Sequence, residues 1–224
     1  MIGQLVLAPG GRGRAAAGRL YGLSVLRAEV EWAGFWRERR LRRAARMLRR
    51  SGVLRVLAPE ELLPYLEGLG LRPVDPEPFL KAQSAPLVLA ALERQGLAPH
   101  RATVALRGLR VDRDMVRTAE QLCPNVRSLV IDAPRGGGEL AGRLRREYGV
   151  PVLPEGELGQ AAVIFQAGCP LRERVSLELS GPSPRLAGLS IAAPRLEGRD
   201  REDLPLLAAL WEGGRLSAGD IKIT

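Results

Sequence analysis

Short apolar runs alternate with amphipathic stretches along almost the whole chain, and this alternation restricts the fold more than any other feature. It is the pattern of strands and helices packed as layers around a parallel sheet. Residues 2–8 read as a strand closed by Pro9, Gly10 and Gly11, and residues 23–32 as a second, alternating cleanly through Leu26, Ala28, Val30 and Trp32. A helix over 35–51 is stopped by Gly52. After it come a strand (53–58), a helix from Pro59 to near Gly68, a short strand (71–74) and a long helix (76–95) bent at Pro86. The second half repeats the scheme with strands at 103–106, 126–131, 150–153 and 161–165 and helices at 112–122 and 138–148. Late strands at 174–179 and 189–192 flank a proline-rich connector at 181–184, and a helix over 200–211 closes the series. The expected architecture is α/β with mostly parallel sheets, helices on both faces and no internal repeat. Two lobes are expected, 1–98 and 99–224, with the boundary inside 96–101.

Several function classes are poorly served by this chain. No run approaches the roughly 18 apolar residues of a membrane-spanning helix, and the start lacks the basic and apolar regions of an export signal. Cys123 and Cys169 are the only cysteines and His100 the only histidine, too few for a recognisable zinc site. A reduced, cytoplasmic protein is expected. There is no nucleophile elbow, no P-loop and no paired-carboxylate signature. Neither a catalytic residue nor a metal ligand is assigned. Ser84 and Lys81 have no evident partners, and the acidic cluster at 197–203 reads as capping and solvating the last helix. The oligomeric state is open, a homodimer included.

Residues 93–169 have a recognisable order. ERQGLAP (93–99) leads into the strand ATVALRG (102–108), then a helix, then the strand VRSLVID (126–132). A second helix is followed by GVPVL (149–153) and AAVIF (161–165). This resembles the NAD(P)-binding Rossmann domain of the shikimate dehydrogenase and glutamyl-tRNA reductase group. The resemblance implies a Rossmann-like second lobe, NAD(P) as cofactor, Gly108 in the phosphate loop and Asp132 as the ribose-binding acid; the first lobe is read as Rossmann-like as well. The loop itself departs from the pattern. A dinucleotide loop needs glycines so that the backbone can approach pyrophosphate at a helix N-terminus. Residues 107–114 read RGLRVDRD, with Gly108 alone and two aspartates that repel phosphate.

A second glycine loop follows the first strand. Gly11, Gly13 and Ala16 fit the G-x-G-x-x-A spacing, with Arg12 and Arg14 as phosphate-binding charges and Glu29 or Glu31 at the distance of a ribose partner. The alternative reading is a hairpin joining two antiparallel strands, because any helix between Arg14 and Tyr21 would be only about two turns long.

The formal charge of +9 is not spread evenly. Residues 1–58 hold 13 arginines against three acids, a net of +10, and the remaining chain is nearly neutral. Much of the excess lies on helix 35–51. Leu41, Ala44, Ala45 and Leu48 share one face, and Arg39, Arg42, Arg43, Arg46, Arg49 and Arg50 occupy the opposite side with Glu38 as the only nearby acid. Trp32, Phe35 and Trp36 gather at its start and read as a core or staple for the helix. The arginine face has three readings: a solvated surface, a phosphate-binding surface for nucleotide or nucleic acid, or a contact for anionic membrane or an acidic protein.

These features lead to a Rossmann-like, non-catalytic binding protein for an anionic or nucleotide-like ligand held between the lobes. The rivals are an NAD(P)-dependent oxidoreductase using the N-terminal glycine loop and a nucleic-acid-binding protein using helix 35–51.

Overall fold

The computed structural model describes residues 1–224 except Ala167, Pro170, Leu171 and Pro182, the last of which belongs to the 181–184 connector. The chain forms two compact units, Met1–Pro76 with Ala193–Asp220, and Glu77–Ala192 with Ile221–Thr224. The division therefore falls elsewhere than the expected 98/99. Residues 77–94 form helices belonging to the second unit, and the segment from Ala193 returns to the first.

The first unit begins with β1 (Ile2–Leu7), β2 (Arg12–Leu20), β3 (Leu23–Val30) and α1 (Arg37–Arg50), followed by β4 (Arg55–Leu57), α2 (Leu63–Leu66) and β5 (Arg72–Pro73). Its sheet has the order β2-β3-β1-β4-β5. Strands β1, β3, β4 and β5 are parallel, and β2 runs antiparallel to β3. The glycine segment thus enters a strand and not a helix. Strand β2 turns into β3 through Tyr21 and Gly22, both at positive φ (48° and 82°), the backbone of a two-residue type I′ turn. Because β3 lies between β1 and β2, residues 8–11 must cross its end. At this crossing a Cβ on Gly11 would lie 2.8 Å from the Val30 nitrogen. Two residues further, within β2, Gly13 has φ +68°, and a Cβ there would lie 2.5 Å from the Arg40 carbonyl oxygen. Two close backbone approaches account for the G-x-G spacing, the second being α1 lying on β2.

Helix α1 is built of strong helix formers, mainly arginine, leucine and alanine. It buries Leu41, Ala44, Ala45 and Leu48 in a core with Leu5, Ala28, Val30 and Val56. Its end is fixed by Gly52 at positive φ, with the Gly52 and Val53 N–H groups donating to the Arg49 and Leu48 carbonyls.

The second unit contains α3 (Glu77–Ala82), α4 (Ser84–Arg94), β6 (Thr103–Arg107), α5 (Arg113–Leu122), β7 (Ser128–Asp132) and α6 (Gly137–Tyr148). Strands β8 (Val152–Leu153), β9 (Ala161–Ile164), β10 (Val175–Glu178), β11 (Arg185–Leu186) and β12 (Ile191–Ala192) follow. Helix α7 (Leu204–Glu212) belongs to the first unit, and β13 (Lys222–Ile223) returns to pair with β12. The helix expected over 76–95 is two, parted at Gln83. Pro86 stands in the first turn of α4, where its missing N–H breaks no hydrogen bond.

The main sheet of this unit has the order β11-β10-β9-β6-β7-β8, parallel throughout except for β11. Counting from β6, the first five strands lie as 3-2-1-4-5, the order of a doubly wound Rossmann-like sheet, and the winding reverses between β6 and β9. Helix α4 packs against β9 and β10, and α6 against β7 and β8. The protein is thus mixed α/β with two mostly parallel sheets flanked by helices. Among the described residues no helix is long and apolar enough to cross a membrane.

The packing role of Gly13 predicts that Gly13→Ala lowers the denaturant midpoint. The left-handed backbone alone costs about 1–2 kcal/mol, and the Arg40 carbonyl must shift as well. A variant of unchanged stability that loses anion binding would instead mark Gly13 as part of a ligand cradle.

Candidate functional site

In an open α/β sheet, ligands bind beyond the carboxyl ends of the strands where the winding reverses. Arg107 ends β6 at this point, and it is only 1% exposed. A charge inside a buried strand is tolerated only with partners. The Arg107 guanidinium pairs with Asp132 at the end of β7 and with Glu173, the residue two before β10. Its Nε donates to both Glu173 carboxylate oxygens at 3.0 and 3.1 Å, and an Nη donates to the Glu157 carbonyl at 3.0 Å. Burial acts to lower the Arg107 pKa. The hydrogen bond and charge of Glu173, and then Asp132, outweigh it, so the guanidinium is held above its ordinary value. Asp132, expected as a ribose-binding acid, is engaged by this cation.

The loop after β6 is likewise occupied by the chain itself. The Leu109 and Arg110 N–H groups both donate to Gln166 Oε1, at 2.6 and 3.2 Å. Gln166 Nε2 donates to the Arg110 carbonyl at 3.2 Å and to Asp112 at 2.9 Å. Asp112 caps α5 by accepting the Met115 N–H at 2.8 Å. A Cβ on Gly108 would meet Gln166 Oε1 at 2.7 Å and the Met115 methyl at 2.8 Å. Gly108 therefore makes room for a glutamine. These N–H groups lie in the loop before α5, whose first turn is capped by Asp112.

Sequence reasoning missed Glu173 and Gln166. One signal pointed to the first: Arg107 closes a strand that is otherwise apolar apart from Thr103, and a buried arginine requires a carboxylate. Nothing in the sequence says that the carboxylate is 66 positions away.

The other reactive groups have structural surroundings. His100 is exposed in a short 3₁₀ turn. Burial, then the charge of Glu120, raises the Cys123 thiol pKa; burial, then Asp132, raises that of Cys169. Both are free thiols. The Ser84 hydroxyl meets that of Thr118 and donates to the Lys81 carbonyl at 2.8 Å, and Lys81 pairs with Glu77. Asp203 caps α7, and Asp200 accepts the Tyr21 hydroxyl proton at 2.7 Å. Among the described residues no three potential ligands lie close enough to hold a metal ion.

The arginine face of α1 borders an open groove of about 990 Å³. Arg12, Arg39, Arg43 and Arg46 line it together with Phe35 and Trp36. Arg40 and Arg42 are also in its wall, and each has an acid: Glu31 at 2.8 Å for Arg40 and Glu38 at 3.4 Å for Arg42. Among the described residues no carboxylate pairs with Arg12, Arg39, Arg43, Arg46 or Arg50. Arg49 donates to the Leu69 carbonyl at 3.5 Å and packs over Gly70, at the far end of the helix. Arg14 is exposed on β2 and is not a groove residue. Glu29 pairs with Arg27 at 3.0 Å, so both acids expected as ribose partners are bound to arginines.

The aromatic trio separates. Trp32 packs on the core and edge-on to Tyr65, at 5.0 Å between centroids, as a staple does. Phe35 and Trp36 are 91% and 52% exposed, edge-to-face at 5.3 Å, with the Arg39 guanidinium 5.2 Å from the Trp36 ring centre. The staple expected from all three holds for Trp32 alone, because Gly34 takes positive φ and α1 begins only at Arg37.

Among solved structures the chain is similar to an L-tryptophan dehydrogenase from Nostoc punctiforme, with 14% identity, 73% of this chain and 55% of that one covered, and a TM-score of 0.33. It is similar to a shikimate 5-dehydrogenase-like protein at 10% identity, covering 74% and 66% of the two chains with a TM-score of 0.27. A chorismate mutase/shikimate 5-dehydrogenase fusion protein from Clostridium acetobutylicum matches at 8% identity, 74% and 67% coverage, and a TM-score of 0.25. The chain spans little more than half the length of the tryptophan dehydrogenase. No family model matches the sequence, and no curated protein matches it.

Removing one partner of the buried cluster leaves a charge without compensation. Arg107→Leu is expected to destabilise the protein by about 3–5 kcal/mol in equilibrium unfolding, and the double variant Arg107→Leu/Glu173→Leu to recover most of that loss.

Proposed function

We propose that this is a non-catalytic, Rossmann-like binding protein whose anionic, phosphate-bearing ligand lies on the arginine face of α1. The observation that carries this reading is the groove itself, with four arginines that no carboxylate pairs among the described residues, beside two exposed aromatic rings. A merely solvated helix is laced with i,i+4 pairs; α1 has one, Arg42 with Glu38. Clustered uncompensated cations repel one another, and a bound polyanion relieves that repulsion.

The non-catalytic part of the reading rests on the winding reversal of the second unit. There Arg107 spans Asp132 and Glu173, and Gln166 accepts the two loop N–H groups that follow Gly108. In the triple variant Arg39→Glu, Arg43→Glu, Arg46→Glu, whose α1 groove no longer attracts phosphates, calorimetric titration with NADPH is expected to show no binding up to millimolar concentration. Micromolar binding there would revive the dehydrogenase alternative.

Inorganic polyphosphate tests the anion site without presupposing any base. Its affinity is expected to fall steeply with salt, as release of counterions requires. In the triple variant Arg39→Glu, Arg43→Glu, Arg46→Glu it should drop by two orders of magnitude or more at unchanged melting temperature, since all three side chains are exposed. Indifference of polyphosphate binding to these changes would remove the helix from the function.

A further inference from the structure

We infer that the ligand of this groove is single-stranded nucleic acid, its phosphates on the α1 arginines and an unpaired base on the Phe35–Trp36 corner. The inference rests on the anion-binding reading above and narrows it to one class of polymer.

Length is the first argument. Arg39, Arg43, Arg46 and Arg50 recur every three or four residues on the exposed side of α1, and they span about 16 Å at a rise of 1.5 Å per residue. A single phosphate engages one or two guanidinium groups and leaves the others uncompensated. A polymer with regularly repeated charge engages the row. The preference for Arg over Lys says nothing here, because the whole chain has 32 of one and two of the other. The clustering is what points to a ligand.

Phe35 and Trp36 are the second argument, and it is independent of charge. In a chain with only nine aromatic residues, two stand in solvent on consecutive positions at the mouth of the cationic groove. Neither ring is needed to anchor α1, whose buried stripe is Leu41, Ala44, Ala45 and Leu48. Exposed rings beside cations are the elements with which proteins hold unstacked bases, and stacking accepts any base because each has a π-face. Arg39 over the Trp36 ring extends the platform.

The same features argue against the competing polyanions. In a duplex the bases are paired and stacked internally, so the aromatic corner has nothing to receive. A membrane-surface helix inserts its apolar face among acyl chains. The apolar face of α1 is already buried in its own core and is not free to insert.

The experiment compares four ligands by fluorescence anisotropy or sedimentation: a 12-nucleotide single strand, its duplex, an abasic strand of equal length, and vesicles of mixed phosphatidylcholine and phosphatidylserine. The proposal expects the single strand to bind most tightly, with log K falling against log salt at about −0.7 per phosphate contacted. The double variant Phe35→Ala, Trp36→Ala should weaken the single strand about 5- to 100-fold, the loss expected of one stacked base. Its affinity for the abasic strand and for polyphosphate should not change, and an unaltered melting temperature excludes a folding defect. Equal binding of the single and abasic strands, insensitive to the aromatic variant, overturns the base platform while leaving the anion site standing. Polyphosphate binding without oligonucleotide binding also overturns it. Preference for the duplex or for vesicles overturns it in favour of that surface.

Discussion

Arg107 sits at the last position of β6, inside a layer from which water is excluded, and it draws three parts of the second unit to one point. Asp132 at the end of β7, Glu173 before β10 and the Glu157 carbonyl before β9 all converge on its guanidinium. The stretches joining β8 to β9 and β9 to β10 hold no helix among the described residues. Glu157, between β8 and β9, and Glu173, between β9 and β10, are thereby tied to the end of β6. Gln166 holds the loop after β6. The sheet keeps a doubly wound strand order, and side chains of the chain itself occupy the region beyond the end of β6.

Much of the architecture could be read before the structure, and the reasons differ by element. Strands β6, β7 and β9 are buried along nearly their whole length under helices and between neighbouring strands, and their apolar centres are conspicuous in the sequence. Helix α1 declares itself through a narrow apolar stripe against a charged background. Strand β2 was illegible for the opposite reason. An edge strand of glycine, alanine and arginine buries almost nothing, so its sequence RGRAAAGRL has no period-two signal. Its glycines fit a phosphate-loop pattern equally well, since close backbone approach has the same requirement whether the neighbour is a phosphate or a helix.

The candidate site was legible in charge and not in geometry. Six arginines on one helical face follow from 100° steps, and the structure keeps all six exposed. That Arg12 joins them while Arg14 does not depends on the register shift between Arg12 and Ala15, which no local pattern announces. Exposure of Phe35 and Trp36 depends on Gly34, whose positive φ delays the helix by two residues. Glu173 and Gln166 act across 66 and 57 positions of sequence, a separation at which only the fold determines who meets whom.

The absence of a side chain at Gly13 lets the backbone of α1 approach β2 to within a distance that any Cβ would forbid. The charges on the two elements, Arg12 on β2 and Arg39, Arg43 and Arg46 on α1, thereby line one groove. Under the proposed anion-binding reading this close seating would place the cations before a ligand arrives, so that less of the binding energy goes into ordering the protein.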